Sequence, residues 1–96
     1  PTVFLKSASP LTIVYGDTIT VTGAGFSPIH NAVITTFQKF TDVPSVDGKT
    51  ISIRFAPEAL KEQSRISKGT LSVPVSLYVV NEYGFSDTEK TFTMNL

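Results

Sequence analysis

Apolar and polar residues alternate one by one along this chain in short runs rich in Val, Ile, Thr and Phe, and Gly, Pro, Asn and Asp separate the runs. A period of two sends successive side chains to opposite faces, so each run reads as a strand with one face for the core and one for water. In 18–22, Ile19 and Val21 alternate with Thr18, Thr20 and Thr22, the pattern of a half-buried antiparallel strand. Residues 50–55 put Ile51, Ile53 and Phe55 on one side and Ser52 and Arg54 on the other. The most regular run is 71–80, where Leu71, Val73, Val75, Leu77 and Val79 share a face. Pro74, on the opposite face, cannot donate to a ladder and belongs near the strand start or on an edge. The last run points Phe92, Met94 and Leu96 one way and Thr91, Thr93 and Asn95 the other.

The remaining segments are shorter or less regular. Runs 2–6 and 11–15 are closed by Ser9-Pro10 and Gly16-Asp17. In 31–40 the inward face is contested between Val33, Thr35 and Phe37 on one side and Ala32 and Ile34 on the other; the choice favours Val33 and Phe37. Asp47-Gly48, just before a β-rich run, is a hairpin-turn signal. Residues 57–65 are the only candidate helix, with Pro57 at a permitted first position, but Leu60 is almost their sole apolar side chain. At most a turn or two in a surface loop is expected there. The tally is an all-β chain of about seven short antiparallel strands, the number and spacing of an immunoglobulin-like β-sandwich. Its 96 residues hold one core and one domain, and 41% hydrophobic residues, with seven Phe and three Tyr, are enough to fill it.

Composition removes several function classes. Eight basic residues balance eight acidic ones, and no two basic residues are adjacent, so no nucleic-acid partner is expected. With no cysteine there is no disulfide framework, thiolate metal site or thiol nucleophile, which tilts a small domain of this kind toward a microbial source. The single imidazole, His30, falls in a loop, and the acids fall mostly in turns, so the chain is expected not to be an enzyme. No metal or other cofactor is expected: there is no Asp-x-Asp-x-Asp loop, and Gly23-Ala24-Gly25 is not followed by the Gly-Lys-Ser of a phosphate loop. No run approaches the ~20 apolar residues of a membrane span, so no membrane insertion is expected. The chain starts at Pro1 without an initiating Met or signal peptide, which reads as one module of a longer protein. Lys6 and Asn95, on the first and last strands, are the pair to test for a Lys–Asn crosslink; Asn95 falls outward, and the phase of Lys6 is undecided.

Three landmarks, in order, resemble the IPT/TIG family of immunoglobulin-like domains, shared by plexins and some transcription factors and abundant in bacterial surface proteins. Gly16-Asp17 leads into Ile19-Thr20-Val21-Thr22-Gly23-Ala24-Gly25-Phe26, similar to the family's opening strand and Gly-x-Gly-Phe turn. Residues 51–57 resemble its mid-domain strand ending in Pro. Val79-Val80-Asn81-Glu82-Tyr83-Gly84-Phe85-Ser86 resembles its Val-x-Asn-x-x-Gly-x-Ser corner. The chain departs from the family where Leu11–Tyr15 follows Ser9-Pro10, in place of a Gly-rich turn, and in the long loop 57–69. Gly23 and Gly25 are expected to supply backbone torsions closed to other residues while Phe26 folds into the core, and Asn81 with Gly84 to do the same at the final hairpin.

The resemblance implies a non-catalytic structural or adhesive module, a spacer or stalk, in an extracellular or cell-surface protein, with neighbouring domains of the same chain as its first partners. The alternatives are an accessory module that binds glycan or protein, and a DNA-binding domain of transcription-factor type, which would need a basic stripe. For the binding alternative, Tyr15, Phe40, Tyr78 and Tyr83 are the candidate contact aromatics.

Overall fold

The computed structural model describes residues 2–96 and is all-β, with two sheets and one short helix. The strands are β1 (Phe4–Ser9), β2 (Thr12–Val14), β3 (Thr18–Ala24), β4 (Asn31–Thr35), β5 (Lys39–Val43), β6 (Thr50–Arg54), β7 (Ser72–Asn81), β8 (Gly84–Phe85) and β9 (Lys90–Asn95). One sheet has the order β1-β3-β6 and the other β2-β9-β7-β4-β5, with β8 paired to β7. Nine strands among the described residues replace the seven expected. The two extra ones are the short β8, and β5, which the sequence pattern merged with β4; β2 falls within the expected run 11–15. The strands pair antiparallel except β2 and β9, which run parallel, and an isolated bridge between Val3 and Ser86 is also parallel.

The alternating residues land as their period requires. Ile19 and Val21 of β3, Ile51 and Ile53 of β6, Val75, Leu77 and Val79 of β7, and Phe92 and Met94 of β9 are buried in one cluster fed by both sheets. Phe55, fully buried, meets Phe92 edge to face at 5.4 Å between ring centroids. Leu71 lies outside the strand and is exposed, a departure from the expected face.

Pro74 is the third residue of β7, where the strand pairs with β9 but not yet with β4. The Ser76 N–H and C=O both bond to Thr36, on the β4 side. By the period of two, the Pro74 nitrogen faces the same side, where no neighbour needs its missing hydrogen.

Three expectations are corrected. The segment 31–40 is a hairpin: the Thr35 hydroxyl accepts the Phe37 and Gln38 amides and the chain turns there. Val33 is buried on β4, while Phe37 sits half-buried in the turn. Asp47-Gly48 does form a turn, with Gly48 at φ 72° and the Asp47 carboxylate accepting the Lys49 and Thr50 amides, but β5 and β6 belong to different sheets. The turn therefore carries the chain across the molecule. Finally, residues 58–67 are a 3-10 turn (Glu58–Leu60) continued by helix α1 (Lys61–Ser67), longer than the one or two turns expected and with no buried residue.

Lys6 lies where the β1–β3 register shifts between Leu5 and Ser7, which is why alternation could not decide its side. It is exposed, and the Asn95 amide oxygen accepts a bond from the Ser72 hydroxyl.

Candidate functional site

Both glycine-containing landmarks converge on one end of the molecule. β3 ends there at Ala24, and Gly25 at φ 76° turns the chain so that Phe26 enters the core. A Cβ on Gly25 would stand 2.2 Å from the Thr2 carbonyl oxygen, so the position requires glycine on two counts. Gly23 differs from the expectation. It does not have a positive φ; its need is space, because a Cβ would lie 1.9 Å from the Phe4 carbonyl oxygen and 3.1 Å from the Phe26 ring.

Asn81 closes the second landmark. It pairs with Gly84 across the β7–β8 turn, and its side-chain oxygen accepts the Tyr83 amide at 2.8 Å. Its Nδ2 donates to the Gly25 carbonyl at 3.0 Å and to Asn31 Oδ1 at 3.1 Å. Two motifs 56 residues apart are thus tied by one amide.

Asn31 is the hub that the sequence reading missed. Fully buried at the start of β4, it accepts the Ser27 amide at Oδ1 and donates through Nδ2 to the carbonyls of Ser27 (2.7 Å) and Val43 (2.8 Å). With the bond from Asn81, both its donors and its acceptor oxygen are satisfied. A bulge in β4–β5 pairing and the left-handed Asp42 (φ 52°) precede the Val43 carbonyl that Asn31 holds. The Ser27 hydroxyl, also buried, accepts the amides of Ile29 and His30. Ser45 joins through its amide to the Pro28 carbonyl and through its hydroxyl to the Thr50 carbonyl at 2.8 Å.

These bonds hold three loops around an open groove of about 470 Å³, walled by Phe26, Pro28, Val46 and Tyr83 and edged by Asp47 and Lys49. A second groove of about 490 Å³ lies on the other side of the Val46–Asp47 tip, against Pro44, Thr50 and Ser52. Val46 is fully exposed, and Ile29 and Tyr83 are exposed nearby in the chain segments that form this end. The Asp47 carboxyl is held below its ordinary range chiefly by the Lys49 amide, and the Glu82 carboxyl chiefly by the Ser27 hydroxyl, with His30 adding a smaller effect.

The four aromatics do not form one platform. Tyr15 lies at the opposite end, half-buried, its hydroxyl donating to the Pro57 carbonyl at 3.1 Å. Phe40 pairs with Val33 and packs partly against the core, whereas Tyr78 pairs with Ile34 on the other face. Tyr83 alone lines the groove. His30 Nδ1 lies 3.2 Å from Asp42, both exposed. Among the described residues, no three His, Cys, Asp or Glu side chains gather as metal ligands, and no helix is long and apolar enough to cross a membrane.

No protein-family model matches the sequence, and a search of curated proteins finds no match.

Proposed function

We propose that the chain is an immunoglobulin-like sandwich of IPT/TIG type, serving as a rigid, non-catalytic spacer or adhesive module of a microbial cell-surface or extracellular protein. The observation that carries the reading is the path of the polypeptide. Thr2 lies against Gly25 at the loop end, whereas Leu96 exchanges backbone bonds with Leu71 at the opposite end. A ten-residue strand such as β7 spans about 33 Å, so the strands run along the 43 Å axis of a body only 20 by 18 Å across. Tension applied to the two ends is therefore directed along the strands. Ladder bonds lie across the strands, so such a load falls on many bonds together rather than one at a time.

Two further features support the family assignment. Membership of the sheets, with β1, β3 and β6 in one and β4, β7 and β9 in the other, parallels the alternation of an immunoglobulin sandwich. The Gly-x-Gly-Phe and Asn-x-x-Gly landmarks also meet, which gives their joint presence a physical reason.

Solution scattering and urea unfolding test the spacer reading. A radius of gyration close to the 13.3 Å of the Cα atoms, allowing for side chains and hydration, and one cooperative transition are expected. A markedly expanded particle, or unfolding in separate steps, would remove the basis for a rigid spacer.

A further inference from the structure

Strand β6 lies at the edge of its sheet, so one row of its backbone groups faces no strand. The other edges are broken within themselves. β1 shifts register between Leu5 and Ser7, β5 carries the left-handed Asp42, and β2 is three residues long. β6 runs beside β3 without a shift. The Gly23 amide donates to the Lys49 carbonyl and the Phe55 amide to the Asp17 carbonyl, so by alternation Lys49, Ile51, Ile53 and Phe55 bond on the β3 side. Thr50, Ser52, Arg54 and Ala56 therefore turn their N–H and C=O groups to the free edge.

Side chains from outside the sheet occupy both ends of that row. The Asp47 carboxylate accepts the Thr50 amide at 2.9 Å, and the Ser45 hydroxyl donates to the Thr50 carbonyl at 2.8 Å. At the other end Gln38 Oε1, on the turn between β4 and β5, accepts the Ala56 amide at 3.1 Å. Between them Ser52 and Arg54 are exposed, and among the described residues their edge-facing groups have no partner. The groove of about 490 Å³ beside Thr50 and Ser52 leaves room for a strand along this part of the edge.

An edge strand can pair antiparallel with a copy of itself about a two-fold axis. With Ile53 on the axis, Ser52 stands opposite Arg54 of the second copy and Thr50 opposite its Ala56, which engages the whole row. Gln38, Ser45 and Asp47 take the outer pairs out of that ladder. The inner pairs set the two Arg54 side chains diagonally across the axis on one face, where like charges repel. We propose that Gln38 and Asp47 stand in for a neighbouring strand and so keep β6 from pairing with β6 of a second copy. What stays open at Ser52 and Arg54 supplies about four backbone bonds, too few to offset the freedom that two copies lose on association. The guard does not depend on the spacer reading, since a spacer with an open edge is still a rigid body.

The test compares the wild type with a Q38A/D47A double variant by sedimentation equilibrium and by hydrogen exchange of backbone amides. Neither side chain is buried, and the Thr50 carbonyl keeps a second lone pair for an incoming amide beside the Ser45 hydroxyl. The wild type should stay monomeric up to about 1 mM, with the Ser52 and Arg54 amides exchanging fast and those of Ile51 and Ile53 protected. The double variant should dimerise with Kd below about 0.1 mM, and its Ser52 and Arg54 amides should gain at least about tenfold protection as concentration rises. Adding S52P, which deletes an amide that β3 does not use, should return the double variant to monomer. If the double variant does not fold, Q38A alone opens one end of the row and should show the same gain at Ser52 and Arg54 at about 1 mM. A folded variant that stays monomeric, association that leaves these two amides unprotected, association that survives S52P, or a wild type that already pairs through β6 would each overturn the proposal.

Discussion

Replacing Asn31 by alanine removes the amide that joins Ser27, Val43 and Asn81. The side chain is fully buried and takes part in four hydrogen bonds, so water cannot readily substitute for the lost partners. At about 1 kcal/mol net per bond, and more where a buried group is left unpaired, the expected loss is about 3–5 kcal/mol. That is a large share of the ~5–15 kcal/mol that holds a domain of this size. With a urea m-value of roughly 1–2 kcal/mol/M, the unfolding midpoint should fall by about 1.5–5 M at unchanged m. N31D should be at least as damaging, because it sets a carboxylate oxygen against the Ser27 and Val43 carbonyls. N81A, at a partly exposed site, should cost about 1–2 kcal/mol, and the double variant should show coupling of about 0.5–1.5 kcal/mol. An N31A protein within about 1 kcal/mol of wild type would refute the view that this amide locks the loop end.

The two turn glycines should respond differently. G23A drives a methyl into the Phe4 carbonyl and should cost about 3 kcal/mol or more, whereas G84A, with open space but φ 131°, should cost about 1–2 kcal/mol; urea titration of both checks the order. F55A empties the site against Phe92 and should cost about 3–5 kcal/mol, while F85A, at an exposed position, should stay within about 0.5 kcal/mol. Because the folded state lowers the Asp47 carboxyl below 3.8, its contribution is complete above the unfolded value and is lost as pH falls through the lowered one. The stability difference between wild type and D47N should therefore hold steady at neutral pH and shrink only below about pH 4, measured by urea unfolding across the acid range.

What the sequence made legible follows from how local each signal is. Ile19, Val21, Ile51, Ile53 and the alternating residues of β7 and β9 could be placed because burial on one sheet face imposes a period of two on the sequence itself. The phase of β1 could not, because the shift at Lys6 adds a residue without marking it in composition. The β4–β5 hairpin was invisible for a similar reason: Thr35 makes that turn, without a Gly, Pro or Asn between the strands. Asp47-Gly48 announced a turn but not its destination, since the sheet that β6 joins is decided by β3, some 30 residues earlier. The helix was underestimated because its residues carry no apolar stripe, and Leu60 just before it is the contact with the core. At the site, the glycines and Asn81 were readable as turn chemistry. Asn31 was not, because its partners are backbone groups and one amide 50 residues away, and nothing in its neighbours signals burial.

Stretching single molecules held at residues 2 and 96 tests the spacer account most directly. The terminal strands β1 and β9 are paired along their lengths, and β2 lies parallel to β9, so a pull along the 43 Å axis shears these ladders. The account predicts one cooperative rupture that lengthens the chain by roughly 290 Å, the gain from a 43 Å body to 95 extended residues at ~3.5 Å each. Stepwise lengthening at forces close to the baseline, with the strands peeling off one after another, would contradict it.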